Sequence, residues 1–341
     1  MTTLSVIVPV YRVEEFLPRC LDSLLGAPTN TGDWEIVAVD DASPDGSADI
    51  LARYAAQDAR LRVVRLAHNV GLGAARNAGL ASASGDYVWF VDSDDWLPDG
   101  TLNAVVARLA ATTPDVLVVD YERVYPDGHT TKHSASSLFP EPLPDVFTLR
   151  EVPGLLRSLH IACNKVVRRG FLSEHGITFG PGWYEDVSFS FPLLLAADKI
   201  SVLDRICYSY RQRPGAITST VTERHFEVFP HWERVFAFMD AHPGRDELRP
   251  PVFARMIWHL LAVLGHSERV PADRRREFFA EMTSHYRRYR PASGYSVPRG
   301  PEGVKERLVG LGAYRTFETL RRVDRTRKSM LGRVGAGRDR S

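Results

Sequence analysis

Tyr87-Val88-Trp89-Phe90-Val91, running straight into Asp92-Ser93-Asp94-Asp95-Trp96, is the stretch on which the reading of this chain turns. Five apolar residues bounded by polar ones have the pattern of a strand buried on both faces. Two carboxylates one residue apart at the strand's exit can point into one crevice and hold a hard divalent cation against a diphosphate. Alone, Asp-x-Asp is a common turn sequence. Its weight comes from what precedes it.

Three more apolar runs lie upstream, and each ends in polar or turn residues. Ser5-Val6-Ile7-Val8-Pro9-Val10 leads to Tyr11, Glu35-Ile36-Val37-Ala38-Val39 to Asp40-Asp41-Ala42-Ser43, and Leu61-Arg62-Val63-Val64-Arg65 to His68-Asn69-Val70-Gly71. Helical patterns separate them, at 14–25, 47–57 and 72–83. Short β-branched runs alternating with amphipathic helices predict a parallel sheet with crossover helices. In such sheets ligands bind beyond the carboxyl ends of the strands, where these polar residues would gather.

Four segments, in order and spacing, resemble the motifs of the family 2 glycosyltransferases: Ser5 to Tyr11, Val39 to Ser43, Asn69 to Asn77, and Asp92 to Asp95. The resemblance covers roughly residues 3 to 220. It implies an α/β GT-A fold, Rossmann-like with a mostly parallel central sheet and flanking helices, followed here by a helical C-terminal region. It implies an inverting enzyme that uses a nucleotide sugar. The expected division is 1–110 for the nucleotide-sugar half, 111–222 for the acceptor half, 223–298 for a helical extension and 299–341 for a basic tail.

A carboxylate can accept the N3–H of uracil while an aromatic ring packs on the base. The resemblance gives the first task to Asp41, with Pro9, Val10, Tyr11 and Asn69 beside it, so the expected donor is a UDP-sugar; an Asx-capped turn at 41–46 is the alternative. The small residues of Gly71-Leu72-Gly73-Ala74-Ala75-Arg76-Asn77 suit a helix start packed close to the sheet. Arg76 would reach the sugar or diphosphate as a bidentate donor, or form a surface ion pair. Asp94 is the expected ligand of Mg²⁺ or Mn²⁺. Asp92 is the second ligand or a contact to the ribose, with Ser93 between them and Asp95 fixing the loop.

Farther along, Glu185-Asp186 precedes a helical run, where acidic residues also serve as caps. The family places its catalytic base in such a pair, which makes Asp186 the expected base and Glu185 its partner. Lys165, in Cys163-Asn164-Lys165, is expected to shape the donor pocket. Arg211 and Arg213, in a segment resembling a loop over the diphosphate, are expected phosphate contacts, although the His and Ser that often accompany such a loop are missing. The wording of 182–189 and 210–215 resembles transferase domains associated with teichoic-acid synthesis, so the expected acceptor is a glycan or polyol-phosphate polymer. A nucleotidyltransferase and a sugar-nucleotide-binding scaffold without turnover are the rivals. The first would show a basic Gly-rich loop after the first strand, which Tyr11-Arg12-Val13-Glu14-Glu15 is not.

Composition is that of an ordinary globular protein, with 44% hydrophobic and 25% charged residues. Cys20, Cys163 and Cys207 are widely spaced in apolar contexts, which predicts buried free thiols and a reducing compartment. The first strand is not preceded by a signal peptide, and no apolar run approaches the ~20 residues of a membrane span; the expectation is cytoplasmic. The net charge of +1 hides an asymmetry: from Arg299 onward there are twelve Lys/Arg and five Asp/Glu. A basic helix over 304–330 is expected, ending in a disordered stretch from 332. It would be a solvated helix or an attachment to an anionic membrane surface; no nucleic-acid module is present. The aromatics Phe226, Phe229, Trp232, Phe236 and Phe238 read as core of helices over 224–240, 248–267 and 273–289.

Overall fold

The four β-branched and aromatic runs become β1 (Leu4–Val10), β2 (Trp34–Asp40), β3 (Leu61–Arg65) and β4 (Tyr87–Phe90). A computed structural model describes residues 3–26, 34–133, 144–158, 161–213, 220–292 and 294–322. The four strands are mutually parallel in the spatial order β3-β2-β1-β4. In-register pairing of Val6 with Ile36 on one side and Trp89 on the other brings the strand exits to one edge of the sheet. β1 and β4 are buried along their whole length, as continuous apolar runs require in a parallel sheet.

The crossovers are α1 (Leu17–Leu25), α2 (Ser47–Gln57) and α3 (Leu72–Ser82). α1 carries a proline in its first turn, where the missing N–H costs nothing, and buries Leu17, Cys20, Leu21 and Leu24 at helical spacing. α3 lies so close to the sheet that a Cβ at Gly79 would meet Ile7 Cγ2 at 2.3 Å and Val39 Cγ2 at 3.1 Å. The small-residue composition of 71–79 is therefore a packing requirement.

Beyond β4 the sheet becomes mixed. After α4 (Thr101–Thr112) come β5 (Val116–Val124), β6 (Thr130–His133), β7 (Lys165–Arg168), α5 (Arg169–Glu174), α6 (Glu185–Ala196) and β8 (Ile200–Arg211). β7 runs antiparallel between β4 and β5. β8 lies parallel along one edge of β5, while β7 and β6 share the other edge, pairing at 116–118 and 121–124. An antiparallel bridge between Trp96 and Ser209 ties the loop after β4 to the end of β8.

The chain forms two compact units. The first comprises 1–216 and 231–245; the second comprises 217–230 and 246–341. In the first, Trp232 and Phe236 of α7 (Val228–Ala241) are fully buried. The second is helical, with α8 (Arg249–Gly265), α9 (Arg275–Tyr289), α10 (Pro301–Leu311) and a further helical segment at 314–322. Phe229 and Phe278 are buried there with ring centroids 4.7 Å apart, as part of a core. The single helix expected over 304–330 is instead interrupted at Gly312, whose φ of +70° ends α10 in the left-handed conformation open to glycine. Residues from 323 onward, including the stretch expected to be disordered, lie outside the described residues. All three cysteines are free and buried.

Candidate active site

Strand exits supply one half of the site, and their backbone is unusual there. Arg12 after β1 (φ 54°), Ala42 after β2 (φ 52°) and Tyr184 before α6 (φ 70°) are three of the four non-glycine residues with positive φ among those described. Such conformations cost of order 1–3 kcal/mol each and persist where surrounding contacts impose them.

Asp41 is buried at the mouth of β2 and accepts three hydrogen bonds. Its Oδ1 accepts the Val70 N–H at 2.7 Å; its Oδ2 accepts the Gly71 N–H and the Asn69 side chain, both at 3.0 Å. Asp41 and Asn69, both expected at the nucleotide, thus touch each other, and Asp41 also sets the loop that starts α3. Tyr11 and Val70 stand exposed at the same edge (39% and 42%), while Pro9 and Val10 lie within or at the end of β1.

Arg76 is the hub. On α3 and 1% exposed, it donates through Nη2 to Asp92 Oδ1 (2.7 Å) and through Nη1 to Glu185 Oε1 (2.8 Å) and Asp186 Oδ1 (3.0 Å). The surface ion pair allowed by sequence is therefore replaced by a buried one. Its terminal amines, expected at sugar or diphosphate, are turned to three carboxylates that sequence spacing gave no reason to connect.

The loop after β4 is held from β8. Tyr208 donates its hydroxyl to Asp95 Oδ2 (2.6 Å) and accepts the Asp92 N–H (3.1 Å). The Arg211 N–H binds Asp95 Oδ1 (2.7 Å), and Arg211 Nε binds the Asp94 carbonyl (2.7 Å). Asp95 thereby fixes the loop, leaving Asp92 and Asp94 at its rim, with Ser93 buried between them. Arg213 Nε binds Asp94 Oδ2 at 2.8 Å. Burial, with the charge of Asp92, raises the proton affinity of Asp94. Carboxylates crowded in this way favour a cation, and an all-oxygen donor set suits Mg²⁺ or Mn²⁺. Among the described residues no three Asp, Glu, His or Cys converge to form a closed metal cage. Diphosphate or water oxygens would have to complete the coordination.

The second half of the site is the start of α6. Glu185 is 7% exposed; burial and the neighbouring Asp186 push its carboxyl up to about 7, opposed by Arg76. Burial likewise raises the proton affinity of Asp186, opposed by Arg76, Lys165 and a hydrogen bond from the Ala162 N–H. Lys165 is fully buried, its Nζ bonded to Ile161 O (2.9 Å) and Asn164 Oδ1 (2.7 Å). Desolvation brings its ammonium down to about 8, with Asp186 holding it charged.

Sequence reasoning missed the supports of this segment. His231 Nε2 lies 3.1 Å from Pro181 O and its Nδ1 2.7 Å from Ser188 Oγ, clipping the loop before Glu185 to the helix after it. A Cβ at Gly73 would meet Gly180 O at 2.5 Å, so α3 presses on that same loop. A buried histidine inside an aromatic helical run carries no local signal of such a role.

The glycosyl transferase family 2 profile matches residues 5–176, just over half the chain. This chain belongs to that family. Over 224 residues it is 31% identical to the uncharacterized glycosyltransferase EpsJ of Bacillus subtilis, covering 63% of this chain and 62% of EpsJ. Over 214 residues it is 32% identical to the poly(ribitol-phosphate) β-N-acetylglucosaminyltransferase TarS of Staphylococcus aureus strain Mu50, covering 62% of this chain but 35% of TarS. The fold is that of the crystal structure of S. aureus TarS 1-349 in complex with UDP-GlcNAc. The TM-score is 0.71 at 23% identity, over 96% of this chain and 92% of that one. The GT-A class expected from the sequence is thus shown.

Proposed function

We propose that this chain is an inverting, metal-dependent glycosyltransferase that moves a sugar from a UDP-sugar to a hydroxyl of a polyol-phosphate or related cell-envelope glycan. The observation that carries the reading is that Arg76 joins the Asp-x-Asp carboxylate Asp92 to the acidic pair Glu185–Asp186, so that metal side and base side form one site. A relative that glycosylates poly(ribitol phosphate) and a shared fold seen with UDP-GlcNAc support the choice of donor and acceptor.

In this reading Asp41 and Asn69 meet the uracil, with Tyr11 against the ring and Pro9 and Val10 forming the floor. Asp92 and Ser93 meet the ribose, Asp94 is the metal ligand, and Arg213, paired with Asp94, turns to the diphosphate. Lys165 borders the donor pocket, and Arg76 holds the three carboxylates in place behind the sugar. Bound Mg²⁺ or Mn²⁺ would offset the negative charge of the leaving diphosphate. Asp186, whose side chain is 23% exposed against 9% for Glu185, is the carboxylate an acceptor can reach. It takes the proton of the acceptor hydroxyl as that oxygen bonds to the anomeric carbon and the bond to UDP breaks. Attack opposite the leaving group inverts the configuration, and no sugar–enzyme bond forms. Glu185 orients Asp186 through Arg76.

Among the described residues no helix is long and apolar enough to cross a membrane. We place the reaction on the cytoplasmic side, with the basic residues after Arg299 either solvated or drawn to anionic lipid, the latter at roughly 1 kcal/mol per residue near the surface.

The test is thermal stabilisation by a panel of nucleotide sugars with Mn²⁺ or EDTA, since binding to the native state raises apparent stability, followed by transfer to poly(ribitol phosphate). Stabilisation by a UDP-sugar only with metal, and release of UDP only with acceptor, are the expected results. Equal stabilisation in EDTA, or a preference for another nucleotide, would overturn the reading.

A further inference from the structure

Two arginines share one aromatic ring at the rim of this site. Arg19, in the first turn of α1, has its guanidinium carbon 3.4 Å from the centroid of Trp96. Arg211, at the end of β8, lies 4.8 Å from the same centroid and 4.9 Å from that of Phe16. The backbone that carries the ring is held, because Trp96 exchanges backbone hydrogen bonds with Ser209. Arg211 is fixed as well, through its backbone N–H and Nε, and its terminal amines have no hydrogen-bond partner among the described residues.

Neither guanidinium is paired with a carboxylate side chain through its terminal amines among the described residues. Arg19 has no ion pair there at all, although Asp92, Asp94 and Asp95 lie just past the neighbouring Cys20, whose Sγ is 3.8 Å from the Asp92 carbonyl. Burial against the ring and the nearby charge of Arg211 together weaken proton binding by Arg19. Like charges at such range repel, and an anion with several acceptor oxygens relieves the repulsion while taking hydrogen bonds from both forks. A structural role would instead pair each guanidinium with a carboxylate, as Arg213 is paired with Asp94.

We propose that Arg19 and Arg211, stacked on Trp96, form a subsite for a phosphodiester of the acceptor polymer. The proposal rests on the acceptor reading above, and adds the residue that recognises the polymer's charge apart from its reacting hydroxyl. A phosphate could also come from the donor, but Arg213 and the Asp94 metal site already face the diphosphate. Arg19 touches none of the carboxylates that bind donor or base. A polyanionic chain brings a phosphate at every repeat, so a cationic station outside the diphosphate pocket gives it register.

The experiment compares the full-length parent, Arg19→Gln and Arg19→Lys, each with its own measured affinity for UDP. Loss of one charge-assisted contact should raise KM for poly(ribitol phosphate) about tenfold, the equivalent of about 1.4 kcal/mol. The turnover at saturating acceptor and the UDP affinity should stay near the parent's. Arg19→Lys should recover part of the KM, and the salt dependence of KM should flatten in Arg19→Gln. Transfer by the parent with an unchanged KM in Arg19→Gln would overturn the subsite alone. So would a fall in UDP affinity equal to the rise in KM, which would assign Arg19 to the donor. Failure of the parent itself to use any polyol phosphate would remove the acceptor reading, and the subsite with it.

Discussion

The carboxylates after β4 and the pair at the start of α6 both bind Arg76, yet they are held in different ways. Asp94 has its charge met by Arg213, a half-exposed side chain two residues past the end of β8. The Glu185–Asp186 pair is met by buried groups: Arg76, the Ala162 N–H and the fully buried Lys165. His231 and Gly73 brace the loop that carries it. In the proposed reaction the first arrangement would exchange partners when a cation and a diphosphate arrive. The second would be preorganised, as a group proposed to take a proton in the transition state needs to be. Donor affinity should therefore depend on the first and the chemical step on the second.

The largest effect should come from the metal side. Asp94→Asn should lose nearly all transfer and most of the Mn²⁺-dependent gain in UDP affinity, without a lower melting temperature in EDTA. Titration of UDP with and without Mn²⁺ checks this, and unchanged turnover would erase the distinction between the two halves. Arg76→Met should come next, because it strips three carboxylates of their shared cation. Breaking a buried ion pair from one side typically costs about 3–5 kcal/mol, to be read by urea denaturation. A loss under 1 kcal/mol would mean that the halves are not joined through Arg76.

A smaller effect sharpens the same contrast through pH. Glu185 holds its proton up to about 7 in the folded chain, against an ordinary 4.5. The folded state then binds more protons than the unfolded state between those values. The contribution of Glu185 is complete below about 4.5 and is lost as pH rises through about 7. Denaturation in EDTA should show stability falling across that window, and Glu185→Gln should flatten the slope. A steeper slope in the variant would contradict the assignment.

Sequence carried the sheet and the edge at which the site forms, because strand and crossover-helix periodicities are local and the turn residues stand at strand ends. It carried Asp92 and Asp94 as candidates for the same reason, and Asp186 only through the family resemblance. Arg76 as a hub was hidden, since two of its three partners lie 109 and 110 residues away and meet it only when the start of α6 comes beside α3. His231 was hidden more deeply. Its neighbours Phe229, Trp232 and Phe236 make it look like one more core residue, and only the close approach of α7 to Ser188 and Pro181 gives it a role. Gly312 shows the limit of periodicity, which continues through a residue whose φ ends the helix.

The division of labour between the two acidic clusters is tested most directly on Asp186→Asn. UDP-sugar affinity, melting temperature and transfer rate should be measured on a single preparation with Mn²⁺. The affinity should match the parent's while transfer falls about 10²–10⁴-fold, the usual contribution of a positioned general base. Near-normal transfer with a lowered melting temperature would make Asp186 a helix-capping residue and contradict the account.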